Sequence, residues 1–254
     1  MKFVINLLLI ISITCSVYAR ELGQTEITAE DGIEVYQNEK YYLLKKNVKI
    51  ESDNLNLTGD TIKIYFDEDL YDIKKIDASG NVKIISKTND INANGTEVVF
   101  YTNKEEIFIN GLGSKLITKN MTMISDGFIN VKNLVGEFIL NGTNSKLTTE
   151  SIIIEGKLIE GSFNSASNVN DIINIQVIDQ KLAYVKSNDT EMYANIIKYN
   201  KESSLIELKD NVKIIDGDET ITGDYAQINT KTNSYKINSN DSKSVKVIIS
   251  NNNE

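Results

Sequence analysis

The sequence predicts an all-β chain of short antiparallel strands, stacked in repeats of about 33 residues. Three observations predict it. Apolar and polar side chains alternate along short segments, a tetrapeptide recurs at near-multiples of one interval, and glycine repeatedly follows Asn or Asp. Alternation with period two in segments rich in Ile, Val, Tyr and Thr is the pattern of a half-buried strand. No stretch sustains a helical period, and the chain holds no proline.

The chain opens with Met1-Lys2, an apolar run from Phe3 to about Val17, and Ser16-Val17-Tyr18-Ala19. This order is that of a secretory signal peptide, with cleavage expected after Ala19. The run is short of the roughly 20 residues that cross a bilayer as a helix. Beyond it the strands begin. Val48 and Ile50 flank Lys49, Leu55 and Leu57 flank Asn56, and Ile62, Ile64 and Phe66 flank Lys63 and Tyr65. Asn-Val-Lys-Ile occurs at Asn47–Ile50, Asn81–Ile84 and Asn211–Ile214. Thr58-Gly59-Asp60 follows the first copy at the spacing with which Thr222-Gly223-Asp224 follows the third. A fixed period in this range implies stacked units that share one core, none stable alone.

Six of the fourteen glycines follow Asn or Asp: Gly32, Gly95, Gly111, Gly127, Gly142 and Gly217. Such pairs supply the positive φ angles of tight hairpins, so they are expected to mark turns between neighbouring strands. At about ten residues per strand and turn, some 22 strands in two facing sheets would extend roughly 50 Å. The two ends of such a stack are open edges. Ile27, Ile33 and Val35 are expected on the first edge, and Val245, Val247 and Ile249 on the last. No proline blunts either.

Composition removes many functions. If the leader is cleaved, Cys15 leaves with it, and the remaining chain has no Cys, His, Trp or Pro. No disulfide, no Ser-His-Asp or Cys-His nucleophile and no ordinary zinc, copper or haem site can then be assembled. No catalytic residue, metal or cofactor is expected. The net charge of −9 disfavours nucleic acid as a partner. Asp67-Glu68-Asp69 and Asp216-Gly217-Asp218-Glu219 lack the spacing of a calcium loop and read as solvated turns.

The stretches Ile27-Thr28-Ala29-Glu30-Asp31, Asn47-Val48-Lys49-Ile50, Thr58-Gly59-Asp60-Thr61-Ile62 and Ile76-Asp77-Ala78-Ser79-Gly80-Asn81-Val82-Lys83-Ile84, with Asn94-Gly95 ahead of Val98-Val99-Phe100, together resemble the OstA-like family of lipopolysaccharide transport. A weaker copy stands at Leu208–Lys213. The resemblance covers roughly residues 27–110 and 190–235. It implies a V-shaped, elongated antiparallel β-jellyroll in the periplasm, whose apolar inner face takes the acyl chains of lipopolysaccharide. The groove residues it implies are Val48, Ile50, Leu57, Ile62, Ile64, Phe66, Val82, Ile84, Val98 and Phe100. It also implies head-to-tail self-association, and edge pairing with an inner-membrane anchored partner and an outer-membrane barrel partner of similar β fold. The expected organisation is a leader (1–19), a first jellyroll half (20–120), degenerate β repeats (121–185) and a final set of repeats with the C-terminal edge (186–254). One long jellyroll and two fused domains both fit this pattern. The alternatives are a parallel β-helix surface or carbohydrate-active protein, and a membrane-anchored partner of the same export system that keeps residues 1–19.

Overall fold

The computed structural model describes residues 22–68, 72–87, 90–165, 172–232, 234–239 and 244–249. The expected leader lies outside the described residues. Eighteen strands form a single hydrogen-bonded system in which every ladder is antiparallel. A parallel β-helix is therefore ruled out. In chain order the first half comprises β1 (Glu26–Thr28), β2 (Ile33–Tyr36), β3 (Tyr41–Glu51), β4 (Leu55–Phe66), β5 (Ile73–Ser86), β6 (Ile91–Tyr101), β7 (Glu106–Asn110), β8 (Ser114–Ile117), β9 (Met121–Ser125) and β10 (Phe128–Lys132). The second comprises β11 (Glu137–Thr149), β12 (Ile152–Phe163), β13 (Ile172–Ser187), β14 (Thr190–Asn200), β15 (Leu205–Asp216), β16 (Glu219–Asn229), β17 (Ser234–Asn238) and β18 (Lys246–Ile249).

The strands are fewer and longer than the sequence pattern predicts, because most of them bend. In β3 the pairing with β4 shifts register between Lys45 and Val48, and β4, β5 and β11–β16 carry equivalent shifts near their middles. Irregularities of this kind let one strand leave one sheet and enter another. Each long strand is thus an L whose two arms belong to two walls. Where the bend is sharpest the strand is interrupted, so β1 and β2, β7 and β8, β9 and β10, and β17 and β18 each make one L from two pieces. The result is fourteen L-shaped rungs among the described residues. At about 4.8 Å per strand the stack is roughly 60 Å long. The repeat of about 33 residues is a pair of rungs.

Wall one holds β2, β7, β10, β17 and the arms paired with them, such as Tyr41–Lys45 of β3. Wall two holds β1, β8, β9, β18 and the other arms, such as Val48–Glu51. Every tight turn joins two strands of the same wall, so among the described residues the backbone crosses between walls only at the corners. Among the described residues the opposite long side is not bridged by the main chain.

The recurrent Asn is the corner. Lys46 and Asn47 have φ of 63° and 48°, Gly80 and Asn81 75° and 50°, and Asp210 and Asn211 64° and 56°. Asn adopts the left-handed region more readily than other non-glycine residues because its short amide can bond locally. Each of these amides donates to the corner of the preceding rung: Asn47 to Glu30 (2.7 Å), Asn81 to Asp60 (3.2 Å) and Asn211 to Asn195 (2.6 Å). The Thr-Gly-Asp motif therefore supplies the acceptor for Asn81.

This corrects the reading of the Asn/Asp-Gly pairs as hairpin turns. Only Asp216-Gly217 closes a hairpin, between β15 and β16. The other five lie at corners: Asp31-Gly32 between β1 and β2, Asn110-Gly111 between β7 and β8, Asp126-Gly127 between β9 and β10, and Asn94-Gly95 and Asn141-Gly142 inside β6 and β11. Two needs for glycine coincide here. Some corners require positive φ, as at Gly111 (112°). Others require close approach of the walls: a methyl group on Gly95 would stand 2.6 Å from Ile109 Cγ2, and one on Gly223 2.7 Å from Ile237 Cγ2. The ladders also run through residues 120 and 185 without a break, since β8 pairs with β9 and β13 with β14.

The two glycine classes respond differently to substitution. Gly95→Val overpacks the corner and is expected to cost about 1–3 kcal/mol. Gly217→Asn keeps a residue tolerant of its φ of 55°, with nothing within 4 Å of a new Cβ, and is expected to stay within about 1 kcal/mol of wild type. Urea unfolding midpoints of the two variants check the difference.

Candidate apolar groove and open edges

Directly opposed residues of an antiparallel pair point to the same face, so the registers define rows of side chains that cross the whole stack. In wall one the row Ile33, Leu44, Ile62, Ala78, Val98, Ile109, Ile129, Leu140, Ile159, Val177, Ile197, Leu208, Ala226 and Ile237 passes through all fourteen rungs. In wall two the row is Ile27, Ile50, Leu57, Ile84, Ala93, Leu116, Met123, Leu147, Ile154, Val185, Met192, Ile214, Ile221 and Val247. Neither row contains a polar residue. They face each other across the interior and form the spine of one core.

Towards the corners small inward residues become frequent, with Gly59 opposite Val48, Gly95 opposite Val82, Gly223 opposite Val212, Ser145 opposite Gly156 and Ala183 opposite Ala194. The walls converge there, as the predicted V requires. Ser114, Ser125 and Ser145 are buried, and Ser125 and Ser145 hydroxyls bond each other at 3.1 Å.

All ten residues expected in the groove lie on the inward face. Val48, Ile50, Leu57, Ile62, Ile64, Phe66, Val82 and Val98 are buried, whereas Ile84 and Phe100 are half-buried. Phe100 lies in the row one step farther from the corner, opposite Ile76 and Ile107. In the first half, therefore, the inner face is packed against itself.

Open space lies elsewhere. A cavity of about 780 Å³ opens at the unbridged side in the middle of the stack. Its deep lining includes Met121, Ile152, Ile172, Ile175, Tyr199 and Ile206. Its lips are the turns after β8, β11, β14 and β16, which bring Thr118, Lys119, Asn120, Glu150, Ser151, Lys201 and Thr230. None of these was singled out by sequence. They come from turns tens of residues apart, and only register brings them together.

The outer faces carry ordinary cross-strand chemistry. On wall one Tyr36 stacks on Tyr41 with ring centres 4.5 Å apart, and Lys63 Nζ stands 3.7 Å from the centre of the Tyr41 ring. On wall two Tyr193 donates to Glu191 (2.9 Å), and burial followed by this bond pushes its phenol up to about 12. Asp67 pairs with Lys74 (2.7 Å) and Lys40 (3.6 Å), and the Lys74 hydrogen bond leads the causes that hold its carboxyl below the usual range. Among the described residues no three His, Cys, Asp or Glu side chains gather as a metal site.

The expected edge residues stand at opposite ends of the stack. Among the described residues the registers pair β1 and β2 with β3, and β17 and β18 with β16. Ile33 is 48% exposed and Val247 54%, although both continue rows whose interior members are buried or nearly so. Ile27, Val35, Val245 and Ile249 are likewise exposed, as is Ile248, whose side lies opposite the interior. Among the described residues no helix is long and apolar enough to cross a membrane.

An elongated stack of bent antiparallel strands, with an apolar interior between two walls and exposed strand edges at both ends, is an antiparallel β-jellyroll. Residues 26–128 match the family described as LptA/(LptD N-terminal domain) LPS transport protein. The match spans almost all of the first seven rungs. Among solved structures, the crystal structure of LptH, the LptA homologous periplasmic component of the conserved lipopolysaccharide transport device from Pseudomonas aeruginosa, aligns over 52% of this chain and 95% of its own, at 14% identity and a TM-score of 0.43. No curated protein matches the chain.

One carboxylate ties β2 of the first edge to β3. Glu34 on β2 accepts from Lys45 Nζ (2.7 Å) and from the Tyr36 hydroxyl, and these bonds, Lys45 first, hold its carboxyl below the usual range. A depressed carboxylate contributes stability that is present above its unfolded-state pKa and is lost as pH falls through the folded value. Glu34→Gln is therefore expected to melt below wild type at neutral pH, with the gap closing as pH falls below the ordinary glutamate range. Thermal melts of both proteins at several pH values check this.

Proposed function

We propose that the protein is a periplasmic carrier that bridges the cell envelope and moves lipopolysaccharide, holding its acyl chains between the two walls. The observation that supports this most directly is the pair of uninterrupted apolar rows, in a chain whose first half matches a lipopolysaccharide-transport domain. A closed core needs no such continuity from edge to edge. A path for a sliding acyl chain does.

The magnitudes favour a carrier that encloses its cargo only in part. One chain of about a dozen methylenes, at ~0.8 kcal/mol each, gains close to 10 kcal/mol on burial. Several chains fully enclosed would pass the ~18–21 kcal/mol ceiling of non-covalent binding, and release would stall. Here a chain that enters between the walls also replaces wall-to-wall contacts of the same apolar character. Its net gain is small, and passage from rung to rung exchanges like for like. The sugar portion stays in water on the unbridged side, and no catalytic group takes part.

Bridging follows from the edges. The apolar rows end at Ile27 and Ile33 on one side and at Val247 and Ile237 on the other, beside unpaired backbone donors and acceptors. Addition of a strand to such an edge is β-augmentation, and joining unlike edges produces open filaments. The partners this reading assigns are further copies of the chain, an inner-membrane anchored protein and an outer-membrane barrel with similar β folds.

Two experiments test the reading. Protein purified from its native periplasm should carry lipopolysaccharide identifiable by mass spectrometry, and Phe100→Glu should weaken that binding more than Lys83→Glu while circular dichroism stays that of wild type. Equal binding by a folded Phe100→Glu variant removes that position from the path. Val247→Pro takes a donor from the last strand and should convert concentration-dependent oligomers to monomers that still bind lipid. Light scattering across a concentration series reads the outcome, and a wild type that stays monomeric refutes edge-to-edge bridging.

A further inference from the structure

One part of the recurrent tetrapeptide serves neither the core nor the corner. In Asn-Val-Lys-Ile the Asn turns the corner and Val and Ile face inwards, which leaves the lysine on the outside of wall two. The registers gather these lysines into one row. Lys49, Lys83, Lys115, Lys146, Lys213 and Lys246 stand on β3, β5, β8, β11, β15 and β18. A lysine thus occupies every second rung except that of β13, where Tyr184 takes its place. Glu155 is the one acid in the row, paired with Lys146 at 2.7 Å, and Lys49 pairs with Glu51 in the neighbouring row at 2.9 Å. Among the described residues no ion pair engages Lys83, Lys115 or Lys246. The matching outer row of wall one mixes its signs, from Glu34 through Lys63 and Asp77 to Glu207 and Lys236. Six cations against one anion is a local reversal in a protein of net charge −9.

The residues between the lysines add a second observation. Thr58, Asn94 and Thr222 present hydroxyl and amide groups to the same face. At the rung without a lysine, Tyr184 and Tyr193 set their rings 5.1 Å apart, and Lys213 Nζ stands 5.7 Å from the centre of the Tyr193 ring. Beside Lys83 and Asn94 the face is hollowed. A groove of about 500 Å³ runs against the corner there, with Asn81, Thr96 and the corner glycines Gly80 and Gly95 in its lining. Leu112, 85% exposed, stands at its rim. The lining holds no carboxylate, and Asp60 close by accepts a hydrogen bond from Asn81.

We propose that the outer face of wall two binds a linear anionic glycan, laid along the stack with an acidic group on every second sugar. Rungs ~4.8 Å apart place the lysines about 10 Å apart, the length of two sugar units in an extended chain. An acid on alternate sugars then meets each lysine, and charge assistance strengthens those bonds. The intervening sugars meet Thr58, Asn94 and Thr222, whose groups match sugar hydroxyls. Tyr184, Tyr193 and Leu112 offer apolar surface to the C–H faces of the rings. Strands of a sheet rotate by roughly 20–25° from one to the next, so the row winds about the long axis. A flexible chain follows that path, whereas a flat bilayer meets a few lysines at a time. An extended acidic peptide has the charge but no ring faces for the tyrosines. The row lies outside both walls, so the inference goes beyond the carrier reading and does not rest on it.

The test titrates the full chain with a hyaluronan decasaccharide, which carries a carboxylate on alternate sugars. Neutral chitohexaose, a glutamate peptide of the same charge and phosphatidylglycerol vesicles are the comparison probes. Calorimetry gives affinity, and the methyl signals of isotopically labelled Leu112 and of Ile124, which lies in the row, report place. The decasaccharide is expected to bind more tightly than any comparison probe, to weaken as salt rises and to shift both methyl signals. Lys83→Ser/Lys115→Ser should weaken it roughly tenfold, while Lys198→Ser/Lys236→Ser, with the same change of charge on wall one, leaves it unchanged. Equal weakening by the two double variants makes net charge the cause and overturns the row as the site, as do unmoved methyl signals. Equal or tighter binding of the peptide or the vesicles overturns the glycan as partner, and equal binding of chitohexaose overturns the role of the lysines. Loss of lipopolysaccharide binding in Lys83→Ser/Lys115→Ser, with circular dichroism unchanged, assigns the row to the cargo and overturns a separate glycan.

Discussion

The structure depends on one constraint: every rung must bend at the same place. A strand that stayed straight would leave its apolar face half covered, since a single sheet has nothing to close upon. Bending sends one arm to each wall, so a rung supplies both sides of the core it needs. The bend is difficult for L-residues because it interrupts the ladder and drives φ positive. The chain meets this with Asn or Gly at the corner and with amides that bond the corner of the preceding rung, as Asn47, Asn81 and Asn211 do. The line of corners is a polar seam outside an apolar interior, and it fixes where the two walls meet.

Much of this was legible in the sequence. Alternation announced strands, and the spacing of Asn-Val-Lys-Ile announced a stacked repeat with unlike ends. The inward face was legible too: all ten residues expected on the groove point inwards. The corner was visible but misassigned, because an Asn or Asp before Gly reports positive φ without reporting its purpose. A hairpin and a bend need the same local geometry. Only the partner strands tell them apart, and partner strands are a non-local property.

The cavity escaped for a related reason. Its lining comes from Thr118, Thr149, Ile172, Lys201 and Thr230, each an ordinary residue near the end of a strand. No local motif distinguishes them from other turn residues. The weak repeat between residues 121 and 185 is regular in backbone and divergent in side chains. Regularity of the ladder and regularity of the sequence are separable.

The direction of the rungs has a consequence for length. The first rung, β1 to β2, runs from wall two to wall one, and the last, β17 to β18, runs from wall one to wall two. An even number of rungs therefore ends on strands of opposite polarity, so a second copy added in the same orientation would meet the first in an antiparallel register. One extra rung would set like-directed strands side by side and turn that joint parallel. Growth or shrinkage of this architecture by pairs of rungs, about 33 residues at a time, would preserve such a joint, whereas single steps would not.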